Sequence, residues 1–184
     1  GVGNDTIVLK GSNQTAEGEA GNDILDASQA TGTATLNGGE GTDTLTGGAS
    51  NDFLNGGAGA DILNGGAGTG DWANYRDDAT AGITINLLTH AAGIGGTALG
   101  DTLTNIENVQ GTRFIDVLTG DANNNVLSGG EGADILDGGA GSSDWAYYNE
   151  GTTVGVTVDL SPASGTGTAS DGDTLKNIEN ILGS

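Results

Sequence analysis

The sequence predicts an all-β solenoid, in which short strands stack turn upon turn along one axis. Residues 38–64 read as three consecutive nonapeptides, GGEGTDTLT, GGASNDFLN and GGAGADILN. Each has glycines at positions 1 and 2, Asp at position 6 and one large apolar residue at position 8. Glycine supplies 37 of the 184 residues, without the three-residue period of collagen.

Each part of the nonapeptide has a physical role. Paired glycines permit positive φ and a tight turn that brings successive carbonyls to one side. The Asp adds an anionic oxygen beside them, and an all-oxygen set of this kind suits Ca²⁺, which accepts roughly six to eight oxygens. The last three residues, such as 44–46, are extended with the middle side chain inward. Nine residues therefore make half a coil.

The nonapeptides resemble those of the repeats-in-toxin (RTX) family, also called haemolysin-type calcium-binding repeats. The resemblance covers most of residues 1–74 and 111–149. It implies a parallel β-roll, a two-sheet solenoid with irregular linking coils here, in which several Ca²⁺ ions bind between turns stacked on the same edge.

The chain is predicted to be one β-roll made of a lead-in and two super-repeats. Residues 1–37 are the lead-in, 38–110 super-repeat 1 and 111–184 super-repeat 2. A shift of 73 residues takes Trp72 onto Trp145, and GDTLTNIEN recurs later as GDTLKNIEN. Residues 75–110 have no nonapeptide, and about two further coils are expected there. Because both termini interrupt a repeat, we interpret the chain as a piece of a longer protein.

Calcium ligands are predicted at the position-6 side chain and at the carbonyls of positions 1 and 3. The side chains are those of Asp5, Asp23, Asp43, Asp52, Asp61, Asp71, Asp116, Asn125, Asp134 and Asp144. The carbonyls are those of Gly18, Ala20, Gly38, Glu40, Gly47, Ala49, Gly56, Ala58, Gly65, Ala67, Gly111, Arg113, Gly129, Glu131, Gly138 and Ala140.

Some positions leave an alternative open. The turns of Asp71 and Asp144 carry one extra residue, so a role as turn former competes with metal ligation there. Asn125 keeps only a neutral oxygen. Asp78 and Asp101 could extend the row of ligands, but we interpret them as solvated loop acids.

Parity divides the turns between two edges, because alternate half-coils lie on opposite sides of the roll. One edge has a complete row of carboxylates, namely Asp5, Asp23, Asp43 and Asp61. The other edge has Gln14 and Ala34 before its first Asp, so ligands are expected only later along it. Same-edge carboxylates about 4.8 Å apart repel one another unless a cation lies between them. We therefore predict a chain that is disordered without Ca²⁺ and folded with it.

Composition narrows the classes of partner. The formal net charge is −21, from 25 acidic and 4 basic residues, which repels nucleic acid and anionic membranes. Without Cys there is neither a disulfide nor a thiolate metal site. No apolar run approaches the ~20 residues of a membrane span. The expected partners are calcium ions, flanking domains of the parent chain and, by resemblance, type I secretion machinery; we expect a monomer.

The predicted function is that of a calcium-binding structural module of a large secreted bacterial protein, located extracellularly or at the cell surface. It is not expected to be an enzyme, because its acids recur at turns instead of converging with a nucleophile and a base. Two alternatives stay open: a ligand-binding segment of a surface adhesin, and an accessory module of a secreted protease, lipase or polysaccharide epimerase. Trp72 and Trp145 lie at the outward position 7, where they stack on sugars or pack on a neighbouring loop.

Overall fold

A computed structural model describes residues 1–76, 79–148, 157–160, 166–169 and 171–183. Within these ranges, the regular structure is nineteen short strands and one three-residue 3-10 helix, Gly96–Ala98. The strands are β1 (Thr6–Val8), β2 (Gln14–Ala20), β3 (Ile24–Asp26), β4 (Ala34–Glu40), β5 (Thr44–Thr46), β6 (Phe53–Ala58), β7 (Ile62–Asn64), β8 (Trp72–Asn74), β9 (Thr84–Asn86), β10 (Thr102–Thr104), β11 (Asn108–Gln110), β12 (Val117–Thr119), β13 (Val126–Ser128), β14 (Ile135–Asp137), β15 (Trp145–Tyr147), β16 (Val158–Asp159), β17 (Thr166–Ala169), β18 (Thr174–Lys176) and β19 (Asn180–Leu182). The predicted all-β class is confirmed.

The strands form two walls that face each other, as in a parallel β-roll. The first wall is a parallel sheet in the order β2-β4-β6-β8-β11-β13-β15-β19. The second wall has two sheets, β1-β3-β5-β7-β10 and β9-β12-β14-β18, the latter extended by antiparallel β17 and β16. Leu45 pairs with Leu63, 18 residues later, so nine residues make half a coil as predicted.

The core is the row of inward side chains at position 8. Eight leucines of this row have no exposed surface or almost none: Leu25, Leu36, Leu45, Leu54, Leu63, Leu118, Leu127 and Leu136. Ala73 and Ala146 occupy the same row and are too small to fill it. The buried rings of Tyr75 and Tyr148 lie in the same core cluster, close by in sequence.

The segment between the nonapeptide blocks adds one coil, so the expectation of two coils is wrong. β8 pairs directly with β11, which leaves room for one step in the first wall. The surplus residues make an excursion in the second wall. The chain runs ahead to β9, which pairs with β12, and returns through Gly93 and Ile94 to β10, which pairs with β7.

The same pairing recurs at the end of the chain. β18 pairs with β14 and β19 with β15, as β10 does with β7 and β11 with β8. In the residues described, no helix has the length and apolar character needed to cross a membrane.

Candidate metal centre

The turn aspartates of the first edge form a hydrogen-bonded ladder. Asp5 N–H donates to Asp23 Oδ1 at 2.7 Å, and Asp23 N–H donates to Asp43 Oδ1 at 2.7 Å. Asp43 N–H in turn donates to Asp61 Oδ1 at 2.8 Å. Each bond links one coil to the next, so the four aspartates lie on one edge, as parity predicts.

The second oxygen of the ladder carboxylates is the distinctive feature of these turns. Among the residues described, Oδ2 is buried and has no hydrogen-bond partner in six aspartates: Asp23, Asp43, Asp61, Asp71, Asp134 and Asp144. A buried anionic oxygen that lacks a partner is costly, because it has lost its water without compensation. A cation beside each of these oxygens would remove that cost.

The position-1 glycines place carbonyl oxygens at the same spot. A Cβ on Gly38 would collide with Asp43 Oδ2 and with the Gly56 carbonyl oxygen of the next turn on that edge. A Cβ on Gly18 would meet Asp23 Oδ2 and the Gly38 carbonyl in the same way. The carboxylate of one turn and the carbonyl of the next therefore face the same small space.

Other position-1 carbonyls repeat this arrangement. Gly47 has the Gly65 carbonyl beside it, and Gly111 has the Gly129 carbonyl. The Gly138 carbonyl lies beside Gly120. Two further carbonyls, of Asn105 and Asn177, face Gly65 and Gly138. They belong to turns without the nonapeptide pattern, so the sequence did not predict them.

The position-3 carbonyls of the first edge hold adjacent turns together. The carbonyls of Ala20, Glu40 and Ala58 each accept an N–H from a glycine of the preceding turn, at 2.7–2.8 Å. A carbonyl oxygen has two lone pairs, so one remains for a cation. On the second edge Ala67 and Ala140 instead donate their N–H groups to Gly48 and Asp121 carbonyls.

Three predicted ligands already have a partner inside their own turn. Asp52 Oδ2 accepts Gly48 N–H, and Asp116 Oδ2 accepts Thr112 N–H at 2.6 Å. The Asn125 side-chain oxygen accepts Asp121 N–H at 2.8 Å. These three turns satisfy their own side chain, so their demand for a cation is weaker than that of the six turns above.

The second edge has its own ladder, and it begins late. Ala34 N–H donates to Asp52 Oδ1 at 2.6 Å, and Asp52 N–H donates to Asp71 Oδ1 at 2.7 Å. Gln14 stays outside, because its Oε1 accepts N–H groups from Lys10 and Gly11. The extra residue in its turn does not displace Asp71 from the ladder.

Asp144 keeps the same place in the second super-repeat. Its Oδ1 accepts Asn125 N–H at 2.8 Å. In the super-repeat's other row, Asp116 N–H donates to Asp134 Oδ1 at 2.8 Å. The ladder geometry is thus common to both super-repeats.

Four of the described acidic residues outside the nonapeptides extend the ladders. Asp61 N–H donates to Asp101 Oδ1 at 2.8 Å, and Asp134 N–H donates to Asp173 Oδ1 at 2.8 Å. Asp101 is fully buried, so its interpretation as a solvated loop acid is wrong. The signal was the GDTLT of residues 100–104, which fits positions 5 to 9 of the repeat. Asp78 lies outside the described residues.

On the second edge the ladders end on glutamates. Asp71 N–H donates to Glu107 Oε2 at 3.0 Å, and Asp144 N–H donates to Glu179 Oε2 at 2.8 Å. Both glutamates belong to the NIEN sequence of a short turn. The longer side chain reaches the position that Asp occupies in a full nonapeptide turn.

Tyrosines complete the ladder ends of the first edge. The Tyr75 hydroxyl donates to Asp101 Oδ2 at 3.0 Å, and the Tyr148 hydroxyl donates to Asp173 Oδ2 at 3.0 Å. Both oxygens of Asp101 and Asp173 therefore have partners, unlike the six orphaned carboxylates. The row of Oδ2 atoms without partners therefore ends where a tyrosine hydroxyl donates to the carboxylate.

Burial makes these carboxylates reluctant to ionise without a cation. Desolvation raises the pKa of Asp61 to about 6 and the pKa of Asp134 to about 7. It likewise raises the pKa of Asp71 and Asp101 to about 7, with a further increase from neighbouring carboxylates. The ladder N–H groups oppose these shifts but do not overcome them.

The donor set consists of one carboxylate and several carbonyls per turn. Across the residues described, no three acidic or histidine side chains converge on one point. Hard oxygen ligands from carboxylates and carbonyls at this loose spacing are those of Ca²⁺, whereas Mg²⁺ demands a tighter octahedron. The residues present fit calcium.

The comparison with protein families agrees with this geometry. The profile of the RTX calcium-binding nonapeptide repeat, in four copies, matches residues 1–33, 37–70 and 110–143, which together exceed half of the chain. No curated protein matches the sequence. Repeats of this family bind several Ca²⁺ ions and are typical of secreted bacterial proteins. The chain belongs to the RTX calcium-binding nonapeptide repeat family.

Proposed function

We propose that this chain is a calcium-triggered folding module of a larger secreted bacterial protein. It would leave the cell unfolded, through type I export, and fold where calcium is abundant. The observation that carries the proposal is the set of six buried Oδ2 atoms without partners. A fold that buries so many unpaired carboxylate oxygens is unfavourable until cations bind between its turns.

The proposed ligands follow from the turn geometry. Asp43 Oδ2 and the Gly56 carbonyl would hold one ion, and Asp23 Oδ2 with the Gly38 carbonyl would hold the next. Bound Ca²⁺ supplies the positive charge that the acidic turns lack. Since the sites exist only when adjacent coils are stacked, binding free energy becomes folding free energy.

We further propose that the module itself is non-catalytic. Its buried aspartates bond one coil to the next, because the Oδ1 atom of each accepts a backbone N–H from the adjacent turn. An accessory role beside an enzyme domain of the parent chain is compatible with this assignment. Activity then resides in that other domain.

Far-UV circular dichroism during a calcium titration tests the proposal, with magnesium as the control cation. We expect a cooperative transition from coil to β structure with Ca²⁺ and none with Mg²⁺ at the same concentrations. Asp43→Asn should shift the midpoint to higher calcium, whereas Asp26→Asn, on the strand β3 that pairs with β5 but outside the ladders, should not. A chain that is fully β-structured in metal-depleted buffer would refute the proposal.

A further inference from the structure

A groove opens where one turn of the second edge is much shorter than its neighbours. Residues 105–107 alone connect β10 to β11, whereas residues 65–71 connect β7 to β8 and residues 120–125 connect β12 to β13. The short turn cannot protrude between the two long ones. It leaves a groove of about 320 Å³ along the outer face of the first wall.

Both tryptophans of the chain line this groove. The strands that carry them, β8 and β15, are three strand steps apart, so their backbones are separated by about 14 Å, and the ring of Tyr147 on β15 extends into this interval. Phe53 stacks on Trp72 with ring centroids 6.4 Å apart, and Tyr147 meets Trp72 edge-on at 6.4 Å. These neighbours hold the Trp72 indole in place, while Trp145 is 37% exposed.

Amide groups lie between the two indoles. Asn108 Oδ1 accepts Val126 N–H at 2.9 Å, which fixes the amide and leaves its Nδ2 to donate. Asn124 Oδ1 accepts the N–H groups of Ser142 and Ser143, which again leaves Nδ2 to donate. The groove thus combines two aromatic faces with oriented N–H donors.

The described residues that line the groove include none with a charge, in a chain whose net charge is −21. An anionic ligand is repelled by the surrounding field, which disfavours nucleic acid despite the stacking faces. The carboxylate of Glu107, in the short turn beside the groove, already accepts Asp71 N–H at 3.0 Å, which disfavours a basic ligand. A purely apolar peptide side chain would leave the amide donors without acceptors.

We propose that this groove binds a neutral oligosaccharide. Its rings stack on the indoles of Trp72 and Trp145, and its hydroxyl oxygens accept from the amides of Asn108 and Asn124. Aromatic faces present an apolar body to the C–H face of a ring, and amides satisfy its hydroxyls. The groove adjoins the second-edge turns, and Asn125 belongs both to its lining and to the ladder, so sugar binding would add a recognition role that depends on the folded, calcium-dependent scaffold.

Tryptophan fluorescence of the calcium-loaded chain tests this proposal directly, because the groove contains both reporters. The probes are neutral oligosaccharides of glucose, galactose and N-acetylglucosamine, with a polyuronic acid as the charged comparison. We expect a saturable change with at least one neutral probe and none with the polyuronic acid. Trp145→Ala should weaken that binding at least tenfold, and Asn124→Ala several-fold.

The control is Ile135→Ala, which removes a side chain of similar exposure (44%) from the opposite wall and should leave binding unchanged. Calcium titrations followed by circular dichroism establish that each variant still folds. The proposal is overturned if no neutral probe changes the fluorescence, or if Trp145→Ala binds as well as the parent. It is also overturned if the chain self-associates and Trp145→Ala abolishes that, because a second copy then occupies the groove.

Discussion

Asp61 and Asp101 are 40 residues apart in sequence, yet Asp61 N–H donates to Asp101 Oδ1 at 2.8 Å. The bond continues the ladder that starts at Asp5, so a carboxylate outside the nonapeptides becomes its last member. The Tyr75 hydroxyl then satisfies the other oxygen of Asp101. On the first edge, the row of carboxylate Oδ2 atoms without partners therefore ends at Asp101, whose Oδ2 accepts the Tyr75 hydroxyl.

Replacing Asp101 should weaken folding as much as replacing a ladder residue of the repeats. Asp101→Ala leaves Asp61 N–H and the Tyr75 hydroxyl buried without acceptors, at a cost of about 1–3 kcal/mol each. We expect the calcium midpoint for folding to rise, measured by circular dichroism. Glu17→Ala, which removes an exposed acid from β2 that is not part of a ladder, is the matched control. Equal midpoints for Asp101→Ala and the parent would contradict the ladder assignment.

Removing the closing hydroxyl should expose a new site for calcium. Tyr75→Phe leaves Asp101 Oδ2 as a seventh buried oxygen without a partner. We expect one more Ca²⁺ per chain by equilibrium dialysis, because a buried carboxylate oxygen without a partner is costly until a cation binds it. Tyr147→Phe makes the same chemical change on the outer face of the first wall, away from Asp101, and should leave the ion count unchanged. An unchanged ion count in Tyr75→Phe would show that the hydroxyl does not limit the row.

A methyl group at a position-1 glycine should disrupt the turn. In Gly38→Ala the new Cβ meets Asp43 Oδ2 and the Gly56 carbonyl, so either the ladder carboxylate or the backbone of the next turn must shift. Overpacking of this kind costs about 1–3 kcal/mol, so we expect a higher calcium midpoint. Gly183→Ala, where a Cβ meets nothing within 4 Å, should behave as the parent. The measurement is again the midpoint of the calcium titration.

Acid should favour the metal-free fold and oppose calcium binding. Burial raises the pKa of Asp61 to about 6 and that of Asp134 to about 7, above the value of about 4 in an unfolded chain. A raised carboxyl pKa means that the folded state binds more protons, so its stability is present below pH 4 and is lost as the pH rises through 6 to 7. In metal-depleted buffer, β structure measured by circular dichroism should therefore increase on acidification.

The calcium-loaded chain should show the opposite trend, because protons compete with the metal for the same oxygens. The calcium midpoint should rise as the pH falls below 7. Asp134→Asn cannot ionise at this position and should reduce the pH dependence of the metal-free chain, to which Asp61, Asp71 and Asp101 still contribute. A metal-free signal that is independent of pH would contradict the role given to these carboxyls.

The sequence was sufficient wherever chemistry and spacing repeat together. Asp43 and Leu45 are fixed by the nine-residue register, which sets both the edge of the carboxylate and the inward direction of the leucine. The same register placed Asp71 and Asp144 on the ladder despite the extra residue in their turns. Calcium as the metal followed from residue types alone, since glycine turns and carboxylates offer only hard oxygens.

The sequence was insufficient where contacts span an irregular segment. Glu107 acts from a three-residue turn, so no nonapeptide spacing marks it, and its extra methylene substitutes for the missing turn. Tyr75 reaches Asp101 across 26 residues, a distance that depends on where β9 and β10 lie. The prediction of a second coil was wrong for the same reason. β9 pairs with the later strand β12, and such a pairing leaves no periodic pattern in the sequence.

The excursion through β9 has a consequence for the boundary predicted at residue 110. The chain order is β9, β10, β11, β12, but β9 stacks on β12 while β10 stacks on β7. A strand of super-repeat 1, β9, therefore belongs to the sheet of super-repeat 2, so the two super-repeats are structurally interlocked. A cut after residue 110 would strip β12 of its neighbour and leave β9 with an open edge, so each half is incomplete alone. A pulling force along the roll axis would therefore act at its middle on two crossed chain segments, those that lead to β9 and to β10. A simple stack of coils would have a single connecting turn there.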